Sequence, residues 1–181
     1  MEQLPEVKVF PFASLTCWLR KIIHFFICRF GASPPRGAAP TPAQKSVIEG
    51  YFPNLRTWSV TGPSTGAYNC IAWSVGITNQ WLWPGSTVAD FDAFYAFHGW
   101  SLSPSGKREY KKRKVALYAN NSDPNECTHG SRETHDCSWD ESKLGSLERI
   151  MHIRSELEGG SYGAVIRYYE KPDASANLDL C

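Results

Sequence analysis

Cys70, inside the run Ala67-Tyr68-Asn69-Cys70-Ile71-Ala72-Trp73, is the residue of this chain best placed to do chemistry. The segment before it, Gly62-Pro63-Ser64-Thr65-Gly66, is made of turn residues that hold no regular structure. Ile71, Ala72, Trp73 and Val75 suit a buried helix, and Gly76 can end it. The spacing therefore predicts Cys70 in the first turn of a helix, where the positive end of the dipole lowers a thiol pKa. A cysteine so placed attacks a carbonyl only if a base can take its proton. Without that base it is a buried, inert residue, a frequent fate of cysteine.

The downstream histidines are the candidate bases, and they carry a rival reading. Cys127-Thr128-His129 and His135-Asp136-Cys137 flank the loop Gly130 to Thr134. Paired as a hairpin, these segments would put Cys127, His129, His135 and Cys137 on one face, a Cys2His2 set suited to Zn²⁺. The spacing is not that of a standard zinc finger, and a metal-free Cys127–Cys137 pair is the plainer arrangement. A histidine nitrogen on zinc has no lone pair for a thiol proton, so the two roles of His129 exclude each other. His152 falls off the apolar stripe of its expected helix and is expected at the surface. His98 precedes Gly99 and is expected to meet a helix dipole. The basic run from Lys107 to Lys114 reads as a solvated loop or as a nucleic-acid patch.

The elements that must position these residues lie in one domain. The chain has 181 residues, 42% of them hydrophobic, enough for a single sizeable core. A net charge of +1 gives no global attraction to a polyanion. Seven tryptophans favour a packed domain over disorder. The six cysteines are scattered rather than spaced as a secreted disulfide scaffold, which points to a reducing compartment.

Residues 1–42 read as an N-terminal extension and proline-rich linker. Phe10 to Phe30 is apolar, but Arg20, Lys21, His24 and Arg29 interrupt it, which opposes a spanning helix and a signal peptide. One face of it, Trp18, Ile22, Phe25, Phe26 and Arg29, suits an interfacial helix, so a membrane surface stands as a weaker partner beside nucleic acid. The domain proper is expected over 43–172, with a tail at 173–181.

Within the domain, helices are expected over Ala43 to Gly50, Cys70 to Val75, and Thr87 to Phe97, the last opened by a Thr87/Asp90 capping box. Strands are expected over Lys114 to Ala119, Glu126 to Arg132, His135 to Trp139 and Tyr162 to Tyr169. A helix carrying Leu147, Ile150, Met151 and Leu157 is expected between Ser146 and Gly159. Trp81-Leu82-Trp83-Pro84 is expected in the core or in a cleft wall. The order is helices first, then a mostly antiparallel sheet: an α+β fold.

A cysteine on an early helix followed by a histidine on a later strand resembles the papain-like cysteine enzymes. The chain is more closely similar to an uncharacterised family marked by Asn-Cys-x-Ala-Trp, Thr-His and Ser-Lys-Leu-Gly. These are Asn69-Cys70-Ile71-Ala72-Trp73, Thr128-His129 and Ser142-Lys143-Leu144-Gly145 here, and the likeness covers Ser46 to Lys171. The resemblance implies a papain-like α+β fold, Cys70 as nucleophile and His129 as general base. It asks for a third polar residue to orient the imidazole, for which Asp140 and Ser142 are the candidates. Asn69 is a candidate for the oxyanion site or for a tight turn. The expected function is a thiol-dependent hydrolase, deamidase or acyltransferase acting on an amide of a protein or peptide, with no cofactor. The alternative is a non-catalytic interaction domain, zinc-stabilised if the hairpin set binds metal.

Overall fold

A computed structural model of the protein describes residues 36–109, 111–134 and 139–173. Three helices, α1 (Pro42–Tyr51), α2 (Cys70–Ser74) and α3 (Val88–Phe97), are joined by a 3₁₀ turn, Arg154–Leu157. Seven strands carry the architecture: β1 (Trp58–Gly62), β2 (Ser101–Ser103), β3 (Lys112–Ala119), β4 (Cys127–Glu133), β5 (Asp140–Lys143), β6 (Arg149–His152) and β7 (Ala164–Pro172). They form one antiparallel sheet in the order β1-β6-β5-β4-β3-β7-β2.

The central strand β3 explains why the sheet is covered on both faces. Lys114 to Ala119 is fully buried, a continuous run rather than an in–out alternation. Ala116 and Tyr118 face one cluster with Ile48, Phe52, Leu55, Trp58, Leu144, Ile150 and Leu157. Val115 and Leu117 face the other, with Cys70, Ile71, Phe91, Tyr95, Trp100, Cys127 and Tyr169. So α1 and the 3₁₀ turn cover the first face, and α2 and α3 cover the second.

Local chemistry sets the helix ends. Thr41 and Thr87 each close a capping box, with Gln44 and with Asp90. Asn69 caps α2, its Oδ1 accepting from the Ala72 N–H at 3.0 Å. Helix α2 lies close on β4 because Gly130 has no side chain. A Cβ there would sit 2.8 Å from the Tyr95 hydroxyl and 3.1 Å from Ile71 Cδ1. Trp73 anchors the other side of α2, with the Arg132 and Arg149 guanidiniums 4.1 and 4.2 Å from its ring centroid.

Several expectations need correction. The helices do not precede the sheet: β1 lies between α1 and α2 and pairs with β6 on the far side of the sheet. Seven antiparallel strands with short helices on both faces replace the papain-like order of N-terminal helices followed by a sheet. The helix expected from Ser146 is strand β6 followed by the 3₁₀ turn. Its apolar residues fit a period of 3.6, but Ile150 and Met151 are both buried, which a strand enclosed on two faces also requires. Pairing with β1 and β5 decides between the two.

The basic run is not a free cationic patch. Lys114 is fully buried and its Nζ meets Glu109 at 2.5 Å, Ser103 at 2.7 Å and Glu170. Lys112 pairs with the same two carboxylates, and Arg108 pairs with Glu133 at 3.1 Å. Trp81 and Trp83 are about half exposed rather than in the core, with Trp83 edge-on to Phe91 at 5.4 Å. The expected extension, most of the expected strand His135 to Trp139, and most of the tail lie outside the described residues.

Candidate active site

Strands β4 and β5 pair over only two positions, Arg132↔Glu141 and Glu133↔Asp140. Beyond them the strands separate, and the resulting seam gathers the chemistry. His129 on β4 reaches across to β5, its Nε2 2.9 Å from Ser142 Oγ. Ser142 Oγ is in turn 2.8 Å from His152 Nε2 on β6, and His152 Nδ1 is 2.9 Å from the Ile153 carbonyl. All three side chains are fully buried. Tyr162 stacks on the His129 ring at 3.9 Å and 4°, and Tyr118 meets its edge at 5.3 Å. His129 Nδ1 is buried with no hydrogen-bond partner among the described residues.

Cys70 comes to the same seam from the opposite face, as the first residue of α2. Three of its neighbours are residues that flank the imidazole. The backbone N–H of Gly130, next to His129, and the charge of Lys143, next to Ser142, both pull on its pKa. Tyr162, stacked on His129, feels its charge as well. Cys70 makes no hydrogen bond with either His129 nitrogen.

Electrostatics at the seam are set by burial. Cys70 is 4% exposed, and desolvation pushes its thiol up to about 11 despite the Gly130, Ile71 and Cys70 N–H groups and Lys143. The expected lowering by a helix dipole is overruled, because α2 has only five residues and burial outweighs it. Burial, helped by the charge of His152, holds His129 well below the usual histidine range. Burial also lowers His152, against opposing charges from Asp140 and Glu156. At neutral pH the thiol and both imidazoles are therefore uncharged.

The two candidates for a third residue separate in the structure. Ser142 is on the imidazole. Asp140 is not: it accepts from Ser131 Oγ at 2.8 Å and from Arg154 Nε and Nη2 at 2.7 and 2.9 Å. Burial alone would raise Asp140, but the charge and hydrogen bonds of Arg154 more than offset it and hold the carboxyl below its ordinary range. Asn69 takes the turn role: beyond capping α2, its Nδ2 donates to the Leu82 carbonyl at 2.6 Å and its Oδ1 accepts from the Leu82 N–H at 3.3 Å. His98 is the C-cap of α3, as its place before Gly99 predicts.

The metal reading loses its geometry at two of its four positions. A register shift between Tyr118 and Ala119 turns Cys127 into the cluster under α3, whereas His129 faces Tyr118 and Tyr162. His135 and Cys137 lie outside the described residues, and among the described residues no His, Cys, Asp or Glu group is arranged to hold a metal ion. Two site residues escape the sequence reading. His152 is buried rather than exposed, and Tyr162 is the lid on the imidazole. The signal for His152 is its alternation with Ile150 and its pairing opposite Asp140 and Trp58 once β6 is read as a strand.

A single antiparallel-sheet domain with a buried thiol and a histidine relay at one seam is the class that fold and site define. Residues 59–170 match the family described as "Domain of unknown function (DUF7689)", and the chain belongs to that family. No curated protein and no solved structure matches it.

Proposed function

We propose that this domain is a thiol-dependent enzyme acting on an amide of a protein or peptide, by hydrolysis, deamidation or acyl transfer. The observation that carries the reading is the asymmetry of His129. Its Nε2 is held by Ser142, while its buried Nδ1 has no partner among the described residues. An orphaned buried nitrogen is costly unless it has a use, and a thiol proton is a use.

The charge state dictates the form of the step. A neutral thiol and a neutral imidazole call for proton transfer during attack, not a preformed thiolate. The Cys70 Sγ–H proton moves to His129 Nδ1 as the sulfur bonds to the carbonyl carbon. The carbon–nitrogen bond then breaks, and the leaving amine takes that proton from Nδ1. Water or a second amine resolves the thioester with the same base. Ser142 orients the imidazole throughout.

A non-catalytic interaction domain remains the second reading, and the 4% exposure of Cys70 is what favours it. Acylation separates the two. Folded protein is treated at pH 7 with p-nitrophenyl acetate, and its cysteines are located by mass spectrometry. The catalytic reading expects an acetyl group on Cys70 ahead of Cys127, and its loss in Cys70→Ser with no change at Cys127. Acetylation of neither, or of Cys127 alone, supports the interaction domain.

A further inference from the structure

We infer that His152 is the positioning residue that fixes the tautomer of His129 through Ser142. The inference rests on the catalytic reading above for its consequence, but its geometry is independent of it. The three groups form one chain: His129 Nε2 to Ser142 Oγ at 2.9 Å, Ser142 Oγ to His152 Nε2 at 2.8 Å, His152 Nδ1 to the Ile153 carbonyl at 2.9 Å.

The direction of that chain follows from its end. A carbonyl oxygen only accepts, so His152 Nδ1 carries the hydrogen. A neutral His152 then has a bare Nε2, which accepts from the Ser142 hydroxyl. Serine has one hydrogen to give, so its oxygen accepts from His129, and His129 Nε2 carries its hydrogen. The His129 lone pair is left on Nδ1, the nitrogen with no partner among the described residues. With His152 neutral, each assignment is forced by the one before it, and the first is made by backbone.

The surroundings keep His152 neutral. Its ring is fully buried, and the charged groups around it are Asp140 and Glu156, which favour the cation, and Arg154, which opposes it. Asp140 spends both carboxylate oxygens on Ser131 and Arg154. If His152 were charged, Nε2 would donate to Ser142, and Ser142 would donate to His129. The lone pair of His129 Nδ1 would be lost, and with it the base. A structural histidine would only need to fill this space. A positioning histidine must also accept from Ser142.

The test is the protonation of the ring nitrogens, read by ¹⁵N NMR on full-length protein at pH 7. Wild type is expected to show His129 and His152 as opposite tautomers: hydrogen on Nε2 of His129 and on Nδ1 of His152. His152→Gln places an amide oxygen where Nε2 was and is expected to preserve the His129 tautomer. His152→Leu removes the acceptor, frees the Ser142 hydroxyl to donate to His129, and is expected to move hydrogen to Nδ1. Cys70 acylation should then fall by about a hundredfold or more in His152→Leu and be rescued in His152→Gln. A wild-type His129 with hydrogen on Nδ1 overturns the inference, even if neither variant folds. So does an unmoved tautomer in folded His152→Leu. A correct tautomer pattern in a wild type that acylates nowhere leaves the relay standing and removes the catalytic reading instead.

Discussion

Asp140→Asn separates a stabilising carboxylate from a catalytic one. Asp140 is 2% exposed and binds Arg154 through two hydrogen bonds, at 2.7 and 2.9 Å, with a third from Ser131. Removing one member of such a buried pair costs about 3–5 kcal/mol, because the partner is left charged and dry. Two features put this site at the low end. The Arg154 side chain is 16% exposed, and Glu133 lies near enough to stabilise its charge. An amide also keeps one acceptor for Ser131. About 3 kcal/mol in a domain of this size lowers Tm by about 6–12 °C. Differential scanning calorimetry on wild type and variant reads it directly. Below the lowered Tm, Cys70 acylation should stay at the wild-type rate, because Asp140 makes no hydrogen bond to His129 and its loss leaves His152 neutral. A Tm within about 2 °C of wild type refutes the energetic reasoning. A collapse of acylation in the folded variant refutes the assignment of Ser142, rather than Asp140, to the imidazole.

Two further outcomes follow from packing and titration. Gly163 has φ +74°, and a Cβ there would lie 1.9 Å from the Ala119 carbonyl oxygen, so Gly163→Ala should cost more than the about 1–3 kcal/mol of backbone strain alone. It should break the β3–β7 pairing at Ala119↔Ala164, and thermal melting that moves by less than a few degrees would contradict it. His129 and His152 both titrate below their ordinary value of 6.5, so an unfolded chain takes up protons there before the folded one does. Stability is intact above pH 6.5 and falls as the pH drops below it toward the folded-state value of each ring, with a slope of at most about 1.4 kcal/mol per pH unit for each histidine. Urea melts at pH 7.0 and 5.5 measure this, and equal midpoints would refute the burial of neutral rings.

Elements whose signal is local were legible in the sequence. The Thr87/Asp90 capping box, the short helix that starts at Cys70 and the continuous run of β3 from Lys114 to Ala119 each follow from a few adjacent residues. The sheet was not, because its decisive pairings are distant. Trp58 pairs with His152 and Val60 with Ile150, and nothing near Trp58 announces a strand on that far edge. The same blindness hid His152. Read on a helix it is a surface residue, and read on β6 it is in the centre of the site. Lys114 shows the opposite error, since a run of basic residues looks solvated until Glu109 and Glu170 are brought to it. Cys70, His129 and Ser142 were all legible as candidates. The neutrality of the thiol was not, because burial is a property of the fold and not of the motif.

The central claim is that His129 acts on the Cys70 thiol, and the most direct measurement is the site-resolved rate of Cys70 alkylation by iodoacetamide at pH 7 in wild type and His129→Gln. Glutamine can keep the bond to Ser142 but cannot take a proton. The account predicts that Cys70 alkylation falls by about a hundredfold in the variant while Cys127 in the same molecules is unchanged. Equal Cys70 rates in the two folded proteins, or a wild-type Cys70 that reacts no faster than Cys127, would contradict it.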